Sequence, residues 1–265
     1  MENFLSKEDI KVSKQFESKG YVVAKTKSVK LLNEINTVIF EVLKKYVKKK
    51  KLTENEKTLN QIHKFIDKKK LNTIRLKIFD KINKSKKIKK LFFLSAKKYL
   101  EILVGNELAM QNRINLSIQL PNDDSSLLDV HSDVWSGDSP FEIVVWLPLV
   151  DCFRTKSMYL LKPKYYDKFE KNFSKFAKKD SESIFKSINK NINWIKINKG
   201  NVLIFNQTLP HGNRVNLEKE TRWSLNCRFK SVFSPYGDKQ IGEFFAPISL
   251  RKMSEIGMKY KLPKI

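Results

Sequence analysis

The stretch Ile114-Asn115-Leu116-Ser117-Ile118-Gln119-Leu120 decides how this chain is read. Apolar and polar side chains alternate at a period of two. One face therefore turns to a core while the other carries amides and a hydroxyl, as in a half-buried strand. Upstream the period is different. Leu31, Leu32, Ile35, Val38, Ile39, Val42 and Leu43 recur at helical spacing. More amphipathic helix is expected around 62–66, 73–79 and 92–104, and Ser6-Lys7-Glu8-Asp9 has the form of a capping box. Downstream, strands are expected at 141–150, 157–162, 194–198, 201–206 and 221–233. Turn groups separate them: Pro121-Asn122-Asp123-Asp124, Ser136-Gly137-Asp138 and Lys199-Gly200-Asn201. A Lys/Phe/Ser-rich segment over 163–193 interrupts them as a helical insertion. Helices first and many short strands after them predict an α+β chain with the strands in a sandwich or jelly roll. The expected organisation is a helical region over 1–110 packed on a β-rich core over 111–265, forming one compact domain.

Composition narrows the function. Of 265 residues, 41% are hydrophobic and 11% aromatic, enough to bury a core and to exclude intrinsic disorder. No apolar run approaches the ~20 residues of a membrane span. The start Met1-Glu2-Asn3-Phe4 lacks a basic-then-apolar signal layout. Two cysteines, Cys152 and Cys227, are too few for a disulfide scaffold or a cysteine zinc cluster, so a reducing cytoplasm is the expected setting. The formal charge of +25 invites a nucleic-acid reading, but only seven of the 53 basic residues are arginine. Arginine reads phosphates and bases bidentately, and a binding surface poor in it is a weak one. Abundant Lys, Ile and Asn with eight glycines fits an AT-rich coding bias instead. The run from Lys44 to Lys51 and the other helical lysines read as solvated faces.

Three histidines are present. His63, in Gln61-Ile62-His63-Lys64, reads as a surface residue. His131-Ser132-Asp133 puts an imidazole and a carboxylate two apart, on one face if the segment is extended. His211 follows the strand Asn201-Val202-Leu203-Ile204-Phe205-Asn206, within Pro210-His211-Gly212-Asn213. Two His and one carboxylate are the facial-triad ligands of non-haem Fe(II). Eleven positions after His211 begins Arg222-Trp223-Ser224-Leu225-Asn226-Cys227-Arg228-Phe229. Arg222, Ser224, Asn226 and Arg228 share one face, and two guanidiniums on an otherwise apolar strand are costly unless solvent or an anion meets them. A dicarboxylate beside the metal would do so bidentately; water at an exposed edge would do so too.

With these residues the chain resembles the 2-oxoglutarate/Fe(II)-dependent oxygenases, and within them the phytanoyl-CoA dioxygenase-like branch. The supporting stretches are Val144-Val145-Trp146-Leu147-Pro148-Leu149-Val150-Asp151, Ser157-Met158-Tyr159-Leu160-Leu161-Lys162-Pro163, and Gly200 to Phe205 leading to Leu209-Pro210-His211-Gly212. The segment 131–151 is most similar to oxygenases found sporadically in carbohydrate biosynthesis clusters. The likeness covers about 112–233. Two departures lie on the substrate side: Lys156-Ser157 stands where the family has Gly-Ala or Gly-Ser, and the insertion is long.

The resemblance implies a double-stranded β-helix (jelly roll) with the metal between its sheets. It implies that His131, Asp133 and His211 ligate Fe(II). Arg222 would pair with the distal carboxylate of 2-oxoglutarate and Ser224 would hydrogen-bond it, with O2 as the other co-substrate. Asn115, Ser117 and Gln119 on the preceding strand, and Trp146, are expected to line the cofactor or substrate cavity. Trp135, Asp138 and Arg228 are expected substrate contacts, Arg228 meeting an anionic substrate group or the cofactor. The implied reaction is hydroxylation of a small molecule, a sugar or cell-surface carbohydrate precursor. Two alternatives stay open. Arg222 and Arg228, six apart, resemble the nucleic-acid dealkylases, although that family carries Asn where this chain has Ser224. A non-catalytic jelly roll binding carbohydrate is the other.

Overall fold

The structure is a computed structural model describing residues 4–25, 28–47, 52–176 and 180–263. Met1–Asn3 of the N-terminal segment and the lysines at 48–51 lie outside the described residues.

Helix α1 (Lys7–Lys19) starts as its capping box expects: Ser6 Oγ accepts from the Asp9 N–H at 3.1 Å, and the Asp9 carboxylate accepts from the Ser6 N–H at 3.2 Å. It stops at Gly20, φ +77°, where a Cβ would meet the Leu209 side chain at 2.4 Å. The chain then forms β1 (Tyr21–Ala24), a correction to the all-helical reading of 1–110. Four residues are too few to show a period, and this strand exists because it pairs with a partner far downstream.

Helices α2 (Val29–Leu43), α3 (Glu56–Asn60), α4 (Lys68–Lys84) and α5 (Lys86–Leu103) follow. The segment expected as helix at 62–66 is a single 3-10 turn over Ile62–Lys64. The helical stripes bury Ile35, Ile39 and Leu43 on α2, Leu71, Ile74 and Ile78 on α4, and Ile88, Phe92 and Leu100 on α5. The strands β2 (Leu108–Gln111), β3 (Asn115–Gln119), β4 (Ile143–Pro148) and β5 (Tyr159–Leu161) come next. The insertion supplies α6 (Tyr166–Lys171), α7 (Phe173–Phe176) and α8 (Ser181–Ile188). The chain closes with β6 (Ile192–Trp194), β7 (Val202–Asn206), β8 (His211–Gly212), β9 (Arg222–Ser231), β10 (Phe245–Ser249) and α9 (Lys252–Gly257). The strand expected at 194–198 is displaced: ladder pairing occupies 192–194, and Ile197 makes only an isolated bridge to Cys152.

Two antiparallel sheets result. The larger has the order β1-β7-β4-β9-β2-β10, with β3 also on β9; the smaller is β6-β5-β8. Strand β9 is interior. One edge is taken by β4, and the other is shared by β3 (Gln119↔Arg222 to Asn115↔Asn226) and β2 (Met110↔Phe229). Its odd-numbered residues Trp223, Leu225, Cys227 and Phe229 are fully buried toward the helices. Phe92 of α5 stacks on Phe229 at 6.5 Å, and Trp223 Nε1 donates to the Leu59 carbonyl at 3.0 Å. The even-numbered face is left to the space between the sheets. Among the described residues no helix is long and apolar enough to cross a membrane. Both cysteines are free and buried.

Candidate metal centre

His131 and His211 are brought together by backbone. Each donates its N–H to the other's carbonyl, at 2.9 and 2.8 Å, as an antiparallel bridge. Their ring centroids are 4.3 Å apart. Nδ1 of His131 lies 2.7 Å from the Asp129 carbonyl, and Nδ1 of His211 lies 2.8 Å from that of Leu209. A carbonyl can only accept, so both Nδ1 atoms carry the proton and both Nε2 atoms present a lone pair. Asp133 opens a 3-10 turn whose preceding residue, Ser132, donates its hydroxyl to the carbonyls of Gln207 at 3.0 Å and Thr208 at 2.9 Å. That anchor aims the Asp133 carboxylate at the two imidazoles. Its Oδ1 is 3.5 Å from His131 Nε2 and 3.9 Å from His211 Nε2. The three ligand atoms lie within 4.8 Å of one another.

The electrostatics suit a cation. Burial by itself would raise the Asp133 carboxyl, but the two imidazoles, which are protonated on Nε2 in the acid range where this group would titrate (His131 then hydrogen-bonding it), and the Arg228 guanidinium outweigh burial and hold the group well below the usual carboxylate range. Burial, reinforced by neighbouring His131, lowers His211 to about 4, so its imidazole is neutral at ordinary pH. A buried carboxylate with neutral nitrogens turned toward it is a donor set for a divalent borderline metal, and the two-His-one-carboxylate composition fits non-haem iron.

A cavity of about 470 Å³ extends from this cluster between the sheets. Arg222, Ser224, Asn226 and Arg228 all line it, as the period of β9 predicts. Arg222, at the start of β9, is 3% exposed; it donates to Ser117 Oγ at 2.9 Å and to the Ser157 carbonyl at 3.3 Å. Among the described residues its Nε, the Ser224 hydroxyl and the Ser157 hydroxyl have no hydrogen-bond partner. Burial lowers this guanidinium to about 10, and among the described residues no carboxylate pairs with it. A buried guanidinium with no carboxylate beside it and unpaired hydroxyls around it has the chemistry to receive an oxyanion.

The other expected residues fall into two groups. Asn115, Ser117, Trp146 and Asp138 line the cavity. Asn115 Nδ2 donates to Asn226 Oδ1 at 3.1 Å, and Asp138 pairs with Lys239. Gln119 and Trp135 are not lining residues. Gln119 is fully buried and donates to the Arg214 carbonyl at 2.6 Å, while Trp135 is 38% exposed and packs on Phe173 and Phe169 of the insertion, at 5.0 and 6.0 Å. Arg228 faces a carboxylate already present, with Nη2 2.9 Å from Asp133 Oδ1. His63 is not a free surface group: it is half-buried, with Nδ1 3.0 Å from Thr221 Oγ1 at the start of β9. Arg75 and Lys239, which belong to no motif, also line the cavity, as does Met158. For Arg75 the sequence offers one signal, its being the sole arginine before Arg113.

Comparison with protein-family models and with curated proteins returns no match. Solved structures do match in fold. The non-heme monooxygenase ThoJ as its nickel complex superposes with a TM-score of 0.55 at 12% identity, covering 91% of this chain and 84% of ThoJ. HygX from Streptomyces hygroscopicus, with nickel and 2-oxoglutarate bound, gives 0.52 at 11%, covering 88% and 89%. SnoK, a non-heme alpha-ketoglutarate-dependent carbocyclase of nogalamycin biosynthesis, gives 0.53 at 14%, covering 93% and 97%. The likeness runs over nearly the whole length of each, and what it shows is a shared fold.

Proposed function

We propose that the chain is a non-haem Fe(II)- and 2-oxoglutarate-dependent oxygenase acting on a small molecule, and that its two sheets are the halves of a double-stranded β-helix with the helical region packed on it as one domain. The observation that carries this reading is two donor sets lining one cavity: His131, Asp133 and His211, and the buried Arg222 with the unpaired Ser224 hydroxyl, Arg222 also reaching the Ser157 carbonyl. A dicarboxylate that chelates a metal with one end keeps a second carboxylate to offer such a guanidinium, which a monocarboxylate does not. HygX is known with nickel and 2-oxoglutarate bound, and SnoK is alpha-ketoglutarate-dependent; both share this fold, which supports the same assignment.

His131, Asp133 and His211 would hold the iron, and Arg222 with Ser224 the distal carboxylate of the co-substrate. When bound, iron, 2-oxoglutarate and O2 together supply oxidative decarboxylation to succinate and carbon dioxide, with oxidation of a substrate C–H bond. The residues themselves orient and shield. Arg222 charge-pairs with the co-substrate in a place where water does not compete. Asn115, Asn226 and Trp146 line the cavity wall and leave amide groups for a substrate's polar atoms. No side chain has to act as a general base. A sugar or carbohydrate precursor, which the sequence resemblance singles out, is the substrate class to supply first.

The test is succinate formation. Purified protein given Fe(II), 2-oxoglutarate and air should release succinate, slowly without substrate and faster with it, and His131→Ala should release none. Succinate at equal rates from both proteins would refute the assignment.

A further inference from the structure

We infer that Arg75 is an anion anchor at the mouth of the cavity, holding a carboxylate or phosphate group of the substrate; this rests on the oxygenase reading above. The argument begins with where the chain spends its arginines. It has 46 lysines and seven arginines. Three of the seven, Arg75, Arg222 and Arg228, line the cavity, against a single lysine, Lys239. A composition that defaults to lysine on the outside thus places arginine inside, where a rigid planar fork meets oxyanions bidentately.

Two of the three have assigned partners. Arg228 is matched by Asp133, and Lys239 by Asp138; these are the two carboxylates among the lining residues. Arg222 is the co-substrate's. Among the described residues Arg75 has no carboxylate partner; it donates to the amide oxygen of Asn72, one turn earlier, at 2.7 Å. With iron and 2-oxoglutarate bound, this guanidinium is the lining cation left to be neutralised among the described residues.

Its position is built rather than incidental. On α4 it falls between the buried Leu71, Ile74 and Ile78, at the inner margin of the apolar stripe instead of the outer face occupied by lysines. Helix α4 is pinned antiparallel to β3 at both ends. Asn83 Nδ2 donates to the Ile114 carbonyl at 2.9 Å, and Lys68 pairs with Asp123 at 3.4 Å. Arg75 therefore lies beside the middle of β3. It is half-buried and shares the mouth with Ser125, Ser126 and Leu127 of the following loop. Arg222, fully buried and already surrounded by Ser117, Ser157 and Ser224, can hold one carboxylate without help; Arg75, half-exposed beside loop hydroxyls, faces what enters later.

The experiment uses whole protein loaded with Ni(II), an oxygen-inert stand-in for iron, and saturating 2-oxoglutarate, titrated calorimetrically with inorganic phosphate and, separately, with acetate. Metal and 2-oxoglutarate affinities are measured first; their absence in the unaltered protein would overturn the oxygenase reading itself. Given both, one of the two anions should bind at a single site, which tells phosphate from carboxylate. Arg75→Gln should weaken that binding tenfold or more, Arg75→Lys should restore it only in part, and Arg113→Gln, an exposed arginine outside the cavity, should leave it unchanged. The 2-oxoglutarate affinity should stay within twofold throughout. A fall in 2-oxoglutarate affinity in Arg75→Gln would move this residue to the co-substrate and overturn the inference. So would anion binding that is absent from the loaded protein or indifferent to Arg75→Gln.

Discussion

Arg228 Nη2 stands 2.9 Å from Asp133 Oδ1, the same oxygen that faces both histidine Nε2 atoms. One carboxylate oxygen is thus the meeting point of the site's donor set and of its nearest guanidinium. Arg228 is itself fixed, its Nε donating to Gln207 Oε1 at 3.1 Å. The carboxylate is therefore oriented by the protein whether or not a metal is bound, which is how an outer ring of groups tunes a ligand.

This pairing separates two substitutions that look equivalent. His131→Ala removes one ligand and leaves the ion pair intact. Asp133→Ala removes a ligand and also strands Arg228, whose side chain is only 15% exposed. Losing one partner of a buried pair costs on the order of 3–5 kcal/mol. Both variants should lose Ni(II) binding by calorimetry, but only Asp133→Ala should melt several degrees lower. Equal melting temperatures would mean that the Arg228 contact has no structural weight.

Arg222→Ala should act on the co-substrate alone. Deleting a desolvated charge that pairs with a carboxylate costs about 2–5 kcal/mol, roughly a 30-fold or greater rise in Kd. Titration of 2-oxoglutarate into the Ni(II)-loaded variant measures it, with metal affinity as the internal control. An unchanged 2-oxoglutarate Kd would transfer the clamp to another cation.

The sequence made the site more legible than its surroundings. His131, Asp133, His211 and the even-numbered face of β9 could be read because their chemistry is local: a tripeptide, a strand period, a fixed interval. The strands that went unread are β1, β2, β8 and β10, of four, four, two and five residues, defined by distant partners such as Phe205 for Tyr21. Gln119 shows the limit of face logic. Its strand was rightly placed, but the side chain found the Arg214 carbonyl instead of the cavity. Trp135 shows another: two aromatic rings of the insertion capture it, a contact with no trace in its neighbours.

The cysteines give a pH-dependent expectation. Burial pushes the Cys152 thiol up to about 12, and Cys227 is raised by the same cause. Roughly one Cys152 in ten thousand is then thiolate at pH 8, so iodoacetamide should label neither residue in the folded protein and both in urea. The sign for stability follows. The unfolded thiols ionise near 9 while the folded ones keep their protons, so stability should fall as pH rises from about 9 toward 12. Rapid labelling of the native protein at pH 8 would contradict the burial.

Lys156, which replaces the small residue usual in the similar family, has a structural use that can be tested. It is fully buried; its ammonium donates to Glu220 Oε2 at 2.6 Å and Asn60 Oδ1 at 2.8 Å, tying the end of α3 to the approach to β9. The two partners are unequal, because the Glu220 side chain is 36% exposed while that of Lys156 is not exposed at all. Glu220→Ala leaves a buried ammonium short of its counter-charge. It should cost less than the ~3–5 kcal/mol of a wholly buried pair, since water reaches the vacated side. Lys156→Met removes the charge that needed matching and leaves a carboxylate that water can solvate, so its cost should be smaller still. Urea unfolding midpoints compare the two directly. A larger loss for Lys156→Met than for Glu220→Ala would mean that packing of the lysine stem, rather than its charge, is what holds α3 against the sheet.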